Sequence, residues 1–254
     1  MSKPSAGLAA IILSAFAVLL SGLALLFATG LFDAPVSRQL QIQTREYLLQ
    51  NPEVFVEALQ KFEQNQQAAE ANELETILAE HSDEIFNDPT APVGGNSEGD
   101  VTLVEFFDYN CPYCRKAAPQ IQQAVSDDPG LKLVFKEWPI LGPGSEFAAR
   151  AALASQRQGK YEAFHHGMMA FAGAINERST MTIAEQVGLD LEQLKRDLED
   201  LAFVAAIERN RALANDLRIT GTPTFVVGDE IIGGLVDQAP LQRSIADARE
   251  KPEG

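Results

Sequence analysis

Two cysteines three positions apart constrain this chain more than any other feature. Cys111 and Cys114 follow Val101–Phe107, a run dense in β-branched and aromatic residues, and precede a helical pattern of Ala117, Ala118, Ile121 and Val125. They are the only cysteines in 254 residues. A small fold stapled by disulfides needs several more, widely spaced. A bond across so short a loop also removes little unfolded-state entropy. If the two thiols pair, the pairing is chemistry rather than architecture. A structural zinc needs four ligands, and His81, His165 and His166 are the only histidines, so such a site lacks its donors. A Cu(I) site on two thiolates stays open, because soft metals accept such ligands. Two inert buried thiols are the bland alternative, and the strand–motif–helix context argues against them.

A Cys-x-x-Cys at a helix start places the first sulfur at the positive end of the helix dipole, where unpaired backbone N–H groups favour a thiolate. Cys111 is then the attacking sulfur. Cys114, one turn further in and more shielded, closes the intramolecular disulfide or resolves a mixed one. Pro112 fits the first helical turn, where its missing N–H costs nothing. Pro112 and Tyr113 together tune the redox poise.

Asp127-Asp128-Pro129-Gly130 ends the helix and a second strand, Leu131–Glu137, returns, which makes a βαβ unit. Residues 145–218 read as helices at Phe147–Ala154, Tyr161–Phe171, Thr182–Val187, Leu191–Leu201 and Phe203–Leu217. A hairpin of Thr224–Val227 and Glu230–Ile232 around Gly228-Asp229 follows, and Gln238–Arg249 closes the chain as a helix. Lys136-Glu137, at the end of the second strand, reads as a surface pair. His165-His166, with no ligand set around it, reads as structural or exposed.

Ahead of this domain, Ala6–Phe32 carries no charged residue. That exceeds the roughly 20 apolar residues that span a bilayer and the 7–15 of a signal-peptide core. Lys3 before it and Asp33 after it orient the rest of the chain outward. A retained anchor over residues 1–33 is the expectation; cleavage near Ala28-Thr29-Gly30, leaving a soluble exported protein, is the alternative. Residues 34–90 read as a helical stalk with narrow apolar stripes, Phe55, Leu59 and Phe62 and then Leu74, Ile77, Leu78, Ile85 and Phe86, interrupted at Gln64–Gln67. Such stripes build no core alone; they suit a stalk, packing on a partner subunit, or docking on the main domain. Asp88–Asn96 reads as a turn-rich linker into a domain over residues 95–250. The net charge of −16, with no basic cluster, excludes a nucleic-acid binder.

Glu105-Phe-Phe-Asp-Tyr-Asn-Cys-Pro-Tyr-Cys114, followed far downstream by Thr220-Gly-Thr-Pro-Thr-Phe225, resembles the DsbA-like branch of the thioredoxin superfamily. More narrowly, it resembles membrane-tethered bacterial relatives near ScsC with a helical N-terminal segment. The resemblance covers residues 95–250 well and 40–90 loosely. It implies a thioredoxin-like α/β fold with a helical subdomain inserted at about 145–218. Thr222-Pro223 then matches the superfamily's cis-proline loop, which lies against the cysteines and pairs with an extended substrate strand, beside Pro112 and Tyr113. Glu105, six residues before Cys111 on the strand face directed to the core, matches the buried acid that exchanges protons with Cys114, its pKa raised by burial.

Two departures narrow the expectation. The dipeptide is Pro-Tyr rather than Pro-His, and Thr rather than Val precedes Pro223, as in disulfide isomerases of the superfamily. The implied protein is a disulfide oxidase or isomerase, with a periplasmic reductase and a Cu(I)-handling protein as alternatives. It needs no metal and no cofactor beyond the redox-active pair Cys111–Cys114. Its implied partners are exported client proteins with cysteines, a membrane redox partner of DsbB or DsbD type, and a second copy docking through residues 34–90. The implied location is the bacterial inner membrane, with the catalytic domain in the periplasm.

Overall fold

The computed structural model describes residues 34–250 and, ahead of them, Val18, Leu20, Ser21, Gly22 and Leu25. The expected anchor, residues 6–32, lies outside the described residues apart from those five. Among the described residues no helix is long and apolar enough to cross a membrane.

The chain divides into two compact units, up to Glu70 and from Ala71 onward. The first contains helix α1 (Ala34–Gln50) and the start of α2 (Pro52–Glu80). The apolar stripe lapses at Gln64–Gln67, yet the helix runs on without a break. Glutamine, alanine and glutamate are good helix formers, so an exposed helix needs no apolar stripe there. Leu40, Leu48, Leu49, Phe55 and Val56 line an open apolar groove in this unit, and Phe55 is 67% exposed.

The second unit is a five-stranded sheet in the order β1-β3-β2-β4-β5. Its strands are β1 (Val93–Gly95), β2 (Val101–Phe107), β3 (Leu131–Glu137), β4 (Thr224–Val227) and β5 (Glu230–Gly233). Only β2 and β3 run parallel, joined through α4 (Pro112–Asp127); the other pairs are antiparallel. Between β3 and β4 the chain inserts α5 (Pro143–Ser155), α6 (Tyr161–Ala170), α7 (Glu177–Gln186), α8 (Leu191–Asp197) and α9 (Leu201–Asp216). Side-chain caps mark several of these starts: Asn176 and Ser179 form a reciprocal capping box, and Asp190 and Asp200 accept from the first-turn N–H groups of their helices. Gly228 takes φ +54° in the two-residue turn of the β4–β5 hairpin, a conformation that glycine adopts freely. The closing helix is α10 (Gln238–Glu250).

Alternate residues of a strand face opposite sides of the sheet, and the two sides bury different cores. Leu103, Phe107, Leu133, Phe135 and Phe225 meet α4, α10 and the inserted helices. Val104, Phe106, Val134 and Val226 meet Leu78 of α2, Ile85 and Phe86 of α3 (Ser82–Phe86), and Leu213 and Leu217 at the end of α9 and just after it. On that second side Lys132 Nζ donates to the Phe86 carbonyl at 3.1 Å, and Lys136 Nζ to the Glu84 carbonyl at 2.7 Å. Two cations thus satisfy the carbonyl end of α3.

Two expectations change here. The segment read as a linker contains strand β1, whose Val93, Gly94 and Gly95 pair with Val134, Leu133 and Lys132. The residues read as the end of a stalk, 71–86, pack as part of the second unit. The Gly-Gly of β1 has no side chains to announce a strand; it is held by its partner.

Candidate active site

The Cys-x-x-Cys motif sits where β2 gives way to α4. Cys111 is the N-cap of the helix, and its Sγ accepts from the Cys114 backbone N–H at 3.4 Å. The thiol in turn donates to the Thr222 carbonyl at 3.2 Å. The Thr222–Pro223 peptide bond is cis, so the loop ahead of β4 lays its backbone against the sulfur. Both cysteines are free thiols. Cys111 is 4% exposed and Cys114 fully buried, whereas Tyr113 stands out at 59% and Pro112 is also exposed.

Glu105 occupies the β2 position between Leu103 and Phe107, so it shares their face, the one under α4. It pairs in register with Phe135 and Phe225 and is 1% exposed. Burial pushes its carboxyl up to about 8. Burial also raises the Cys114 thiol strongly, and the charge of Glu105 adds to that. Burial thus disfavours the ionised form of both groups, and neither meets bulk water.

The tripeptide between strand and motif is bolted to the inserted helices. Asp108 Oδ1 accepts from Asn110 N at 2.7 Å and Ser145 Oγ at 2.7 Å; its Oδ2 accepts from Ile140 N at 2.8 Å and Leu141 N at 2.9 Å. Asn110 donates through Nδ2 to Ser145 Oγ and the Ile175 carbonyl, and its Oδ1 accepts from Ile175 N. Arg115 donates to the carbonyls of Tyr109 and Gly173. Seven hydrogen bonds of these two side chains, Asp108 and Asn110, fix the path into Cys111. No spacing rule in the sequence pointed to them; a polar pair at the exit of a buried strand was the available signal.

The reading of Lys136-Glu137 as a surface pair is overturned. Successive strand residues point to opposite faces, so the two side chains cannot meet, and both are buried. Lys136 goes to Asp88 on the α3 side at 2.9 Å, and burial lowers its pKa against the pull of Asp88. Glu137 goes to the other side, where Tyr109 and Tyr161 donate to its Oε1 at 2.9 and 2.8 Å. Burial raises Glu137 well above the carboxylate range, opposed by those two bonds. His165 completes the cluster, with Nδ1 at 3.3 Å from the Tyr109 hydroxyl; burial, helped by His166, lowers it to about 3. It is a neutral core ring edge-on to Phe107. Among the described residues no group of three or more His, Cys, Asp or Glu is placed to hold a metal.

The comparisons with known proteins agree with this geometry. Residues 102–246 match the model of the DSBA-like thioredoxin domain, and residues 44–69 that of the copper resistance protein ScsC N-terminal domain. A thioredoxin-like oxidoreductase from Silicibacter pomeroyi is 56% identical, with 66% of this chain and 98% of that one covered at a TM-score of 0.66. ScsC of Proteus mirabilis in a transitional conformation is 26% identical over 86% of this chain and 97% of that one, at 0.64. Disulfide bond formation protein D of Bacillus subtilis is 31% identical, covering 61% of this chain and 75% of that protein. The first curated relatives are sodium/proton antiporters. For NhaA 3 of Salinispora tropica the identity is 30% over 64% of this chain, and the chain spans about a quarter, 26%, of that protein's length.

Proposed function

Because the chain belongs to the family of DSBA-like thioredoxin domains, we propose that it is a thiol–disulfide oxidoreductase acting on exported proteins through Cys111 and Cys114. One observation carries the reading: the Cys111 thiol caps a helix and bonds the carbonyl of Thr222 in the cis Thr222–Pro223 turn, with Cys114 one turn deeper. Cys111 forms the mixed disulfide, and Cys114 closes on it. Glu105 moves the proton of Cys114. The backbone of Thr222-Pro223 pairs with an extended client segment, beside the exposed Pro112 and Tyr113. The pair itself takes up or gives back both electrons as it passes between disulfide and dithiol, so the exchange takes no further cofactor.

A Cys114→Ser variant is expected to accumulate covalent adducts with cysteine-containing client proteins, released by dithiothreitol and absent when Cys111 is also replaced. Non-reducing electrophoresis of an affinity pull-down reads this. A variant that forms no adducts and only loses Cu(I) affinity sinks the oxidoreductase reading in favour of metal handling.

The finer reading is an oxidase or isomerase in the periplasm, recycled by a membrane partner of DsbB or DsbD type. One structural relative is a periplasmic thioredoxin-like protein from Salmonella enterica serovar Typhimurium, 30% identical, which supports the compartment. The length of the apolar span 6–32 supports a retained anchor; fractionation in carbonate at high pH is expected to leave the full chain with the membrane pellet. The exposed apolar face of Leu40, Leu48, Leu49, Phe55 and Val56 supports docking of a second copy. Phe55→Glu with Leu49→Glu is expected to convert an oligomer to a monomer in light scattering, with exchange of small disulfides retained. A wild-type monomer at working concentration overturns that part. Threonine ahead of the cis-proline and a paired arrangement of copies both favour isomerisation, which a scrambled-substrate refolding assay separates from oxidation.

A further inference from the structure

A cavity of about 40 Å³ lies beside Glu105. About 10–15 Å³ is enough to hold one water when polar partners are present. Here they are: Glu105 from β2, Gln122 from α4, and Glu162, His165 and His166 from α6 all line it. The Oε1 atom of Glu105 is buried and has no hydrogen-bond partner in the protein. An unsatisfied buried acceptor costs roughly 1–3 kcal/mol, which a water in this cavity offsets.

The cavity's lining reaches solvent at Gly95, Gln122 and Glu162, and its solvent-reaching ionisable groups are on α6. Glu162 is exposed and His166 half-buried; four positions apart, they share one helix face. Gly94 on β1 makes room for the carboxylate: a Cβ there would stand 2.5 Å from Glu162 Oε1 and 3.0 Å from the Phe135 ring. On its other side Glu105 acts on Cys114. The ionisable groups that line the cavity or act on Glu105's neighbourhood are Cys114, Tyr109, Glu137, His165, His166 and Glu162. Of these, Glu162 and His166 reach solvent.

We infer that this cavity is the proton route of the exchange reaction, a water in it passing protons between Glu105 and the Glu162/His166 pair at its mouth. The inference rests on the oxidoreductase reading. When a client thiolate opens the Cys111–Cys114 disulfide, the client–Cys111 S–S bond forms and the Cys111–Cys114 bond breaks. Cys114 leaves with the electron pair. The Glu105 carboxyl protonates it, and the resulting carboxylate is refilled through the cavity. When Cys114 later attacks a mixed disulfide, the same proton travels outward and the client sulfur departs as thiolate. No other oxidant or reductant enters. With Cys114 and Glu105 both buried, neither exchanges with bulk water directly.

The test follows opening of the disulfide by reduced glutathione in stopped flow, on the full chain, across pH and in D2O. A positioned acid–base group contributes about 10²–10⁴ and the relay that refills it less, so Glu162→Gln with His166→Gln is expected to slow the step about tenfold near neutral pH. Imidazole added as a small proton carrier is expected to restore the rate, which a purely structural defect would not allow. Ala118→Val, which adds two methyl groups to the cavity wall, is expected to slow the step without rescue. If that variant fails to fold, the imidazole response of the double variant decides alone. Wild-type rates and isotope effects in the double variant, or a slowed double variant that imidazole leaves slow, overturn the route. A wild-type protein that exchanges no disulfide sinks the oxidoreductase reading instead.

Discussion

Cys111→Ser is expected to reduce disulfide exchange to the uncatalysed rate, a loss of more than about 10³-fold. The reason is covalent. A serine oxygen makes no S–S bond, so no mixed disulfide forms, and its hydroxyl is not ionised near neutral pH. The loss should come without unfolding. A hydroxyl at the helix N-cap accepts from Cys114 N and donates to the Thr222 carbonyl as the thiol does. The change in stability is therefore expected to stay within about 1 kcal/mol. Insulin reduction beside a thermal melt reads both. Residual turnover at a tenth of the wild-type rate would move the attacking role away from Cys111.

Glu105→Gln is expected to stabilise the reduced protein at alkaline pH and to slow it catalytically. Burial raises this carboxyl from 4.5 to about 8 in the folded chain. Folding thus favours the protonated form. The stability this contributes is complete below the unfolded value and is lost as pH rises through the folded one. Above about pH 8 the native state holds a buried charge that costs on the order of 4 kcal/mol relative to an uncharged side chain. Urea titrations of wild type and variant should converge near pH 4 and separate progressively toward pH 8, the variant being the more stable. Curves that stay parallel across that span would show that Glu105 titrates normally. Exchange by the same variant is expected to fall about 10²-fold, since Cys114 loses its proton partner.

The sequence made the centre of the molecule legible and its periphery less so. Strands 101–107 and 131–137 stand out because β-branched and aromatic residues fill a strand buried on both faces, and the observed bounds coincide. The residues of the motif are local, and their helix start is written in Pro112. Strand β1 was not legible: Val93-Gly94-Gly95 has turn composition and becomes a strand only by pairing with β3. Glu137 was misread for a related reason. A charged residue at a strand end is usually wet, and only the fold brings Tyr109 and Tyr161, 28 and 24 positions away, to its carboxylate. The inserted helices were readable as helices, but not which residues of them touch the loop ahead of Cys111.

That contact defines how separable the parts are. Joining β3 to the residues just ahead of the Thr222–Pro223 turn would give a shorter domain with every strand of the sheet, the motif and that turn still present. It would also remove Ile140, Leu141, Ser145 and Ile175, the outside partners that hold Asp108 and Asn110. The trimmed domain would keep the reactive sulfurs while releasing the tripeptide, residues 108–110, that leads into them. The insert is therefore part of the catalytic module, and any graft of this motif onto another scaffold has to carry along the hydrogen-bond partners that Ile140, Leu141, α5 and the segment before α7 provide.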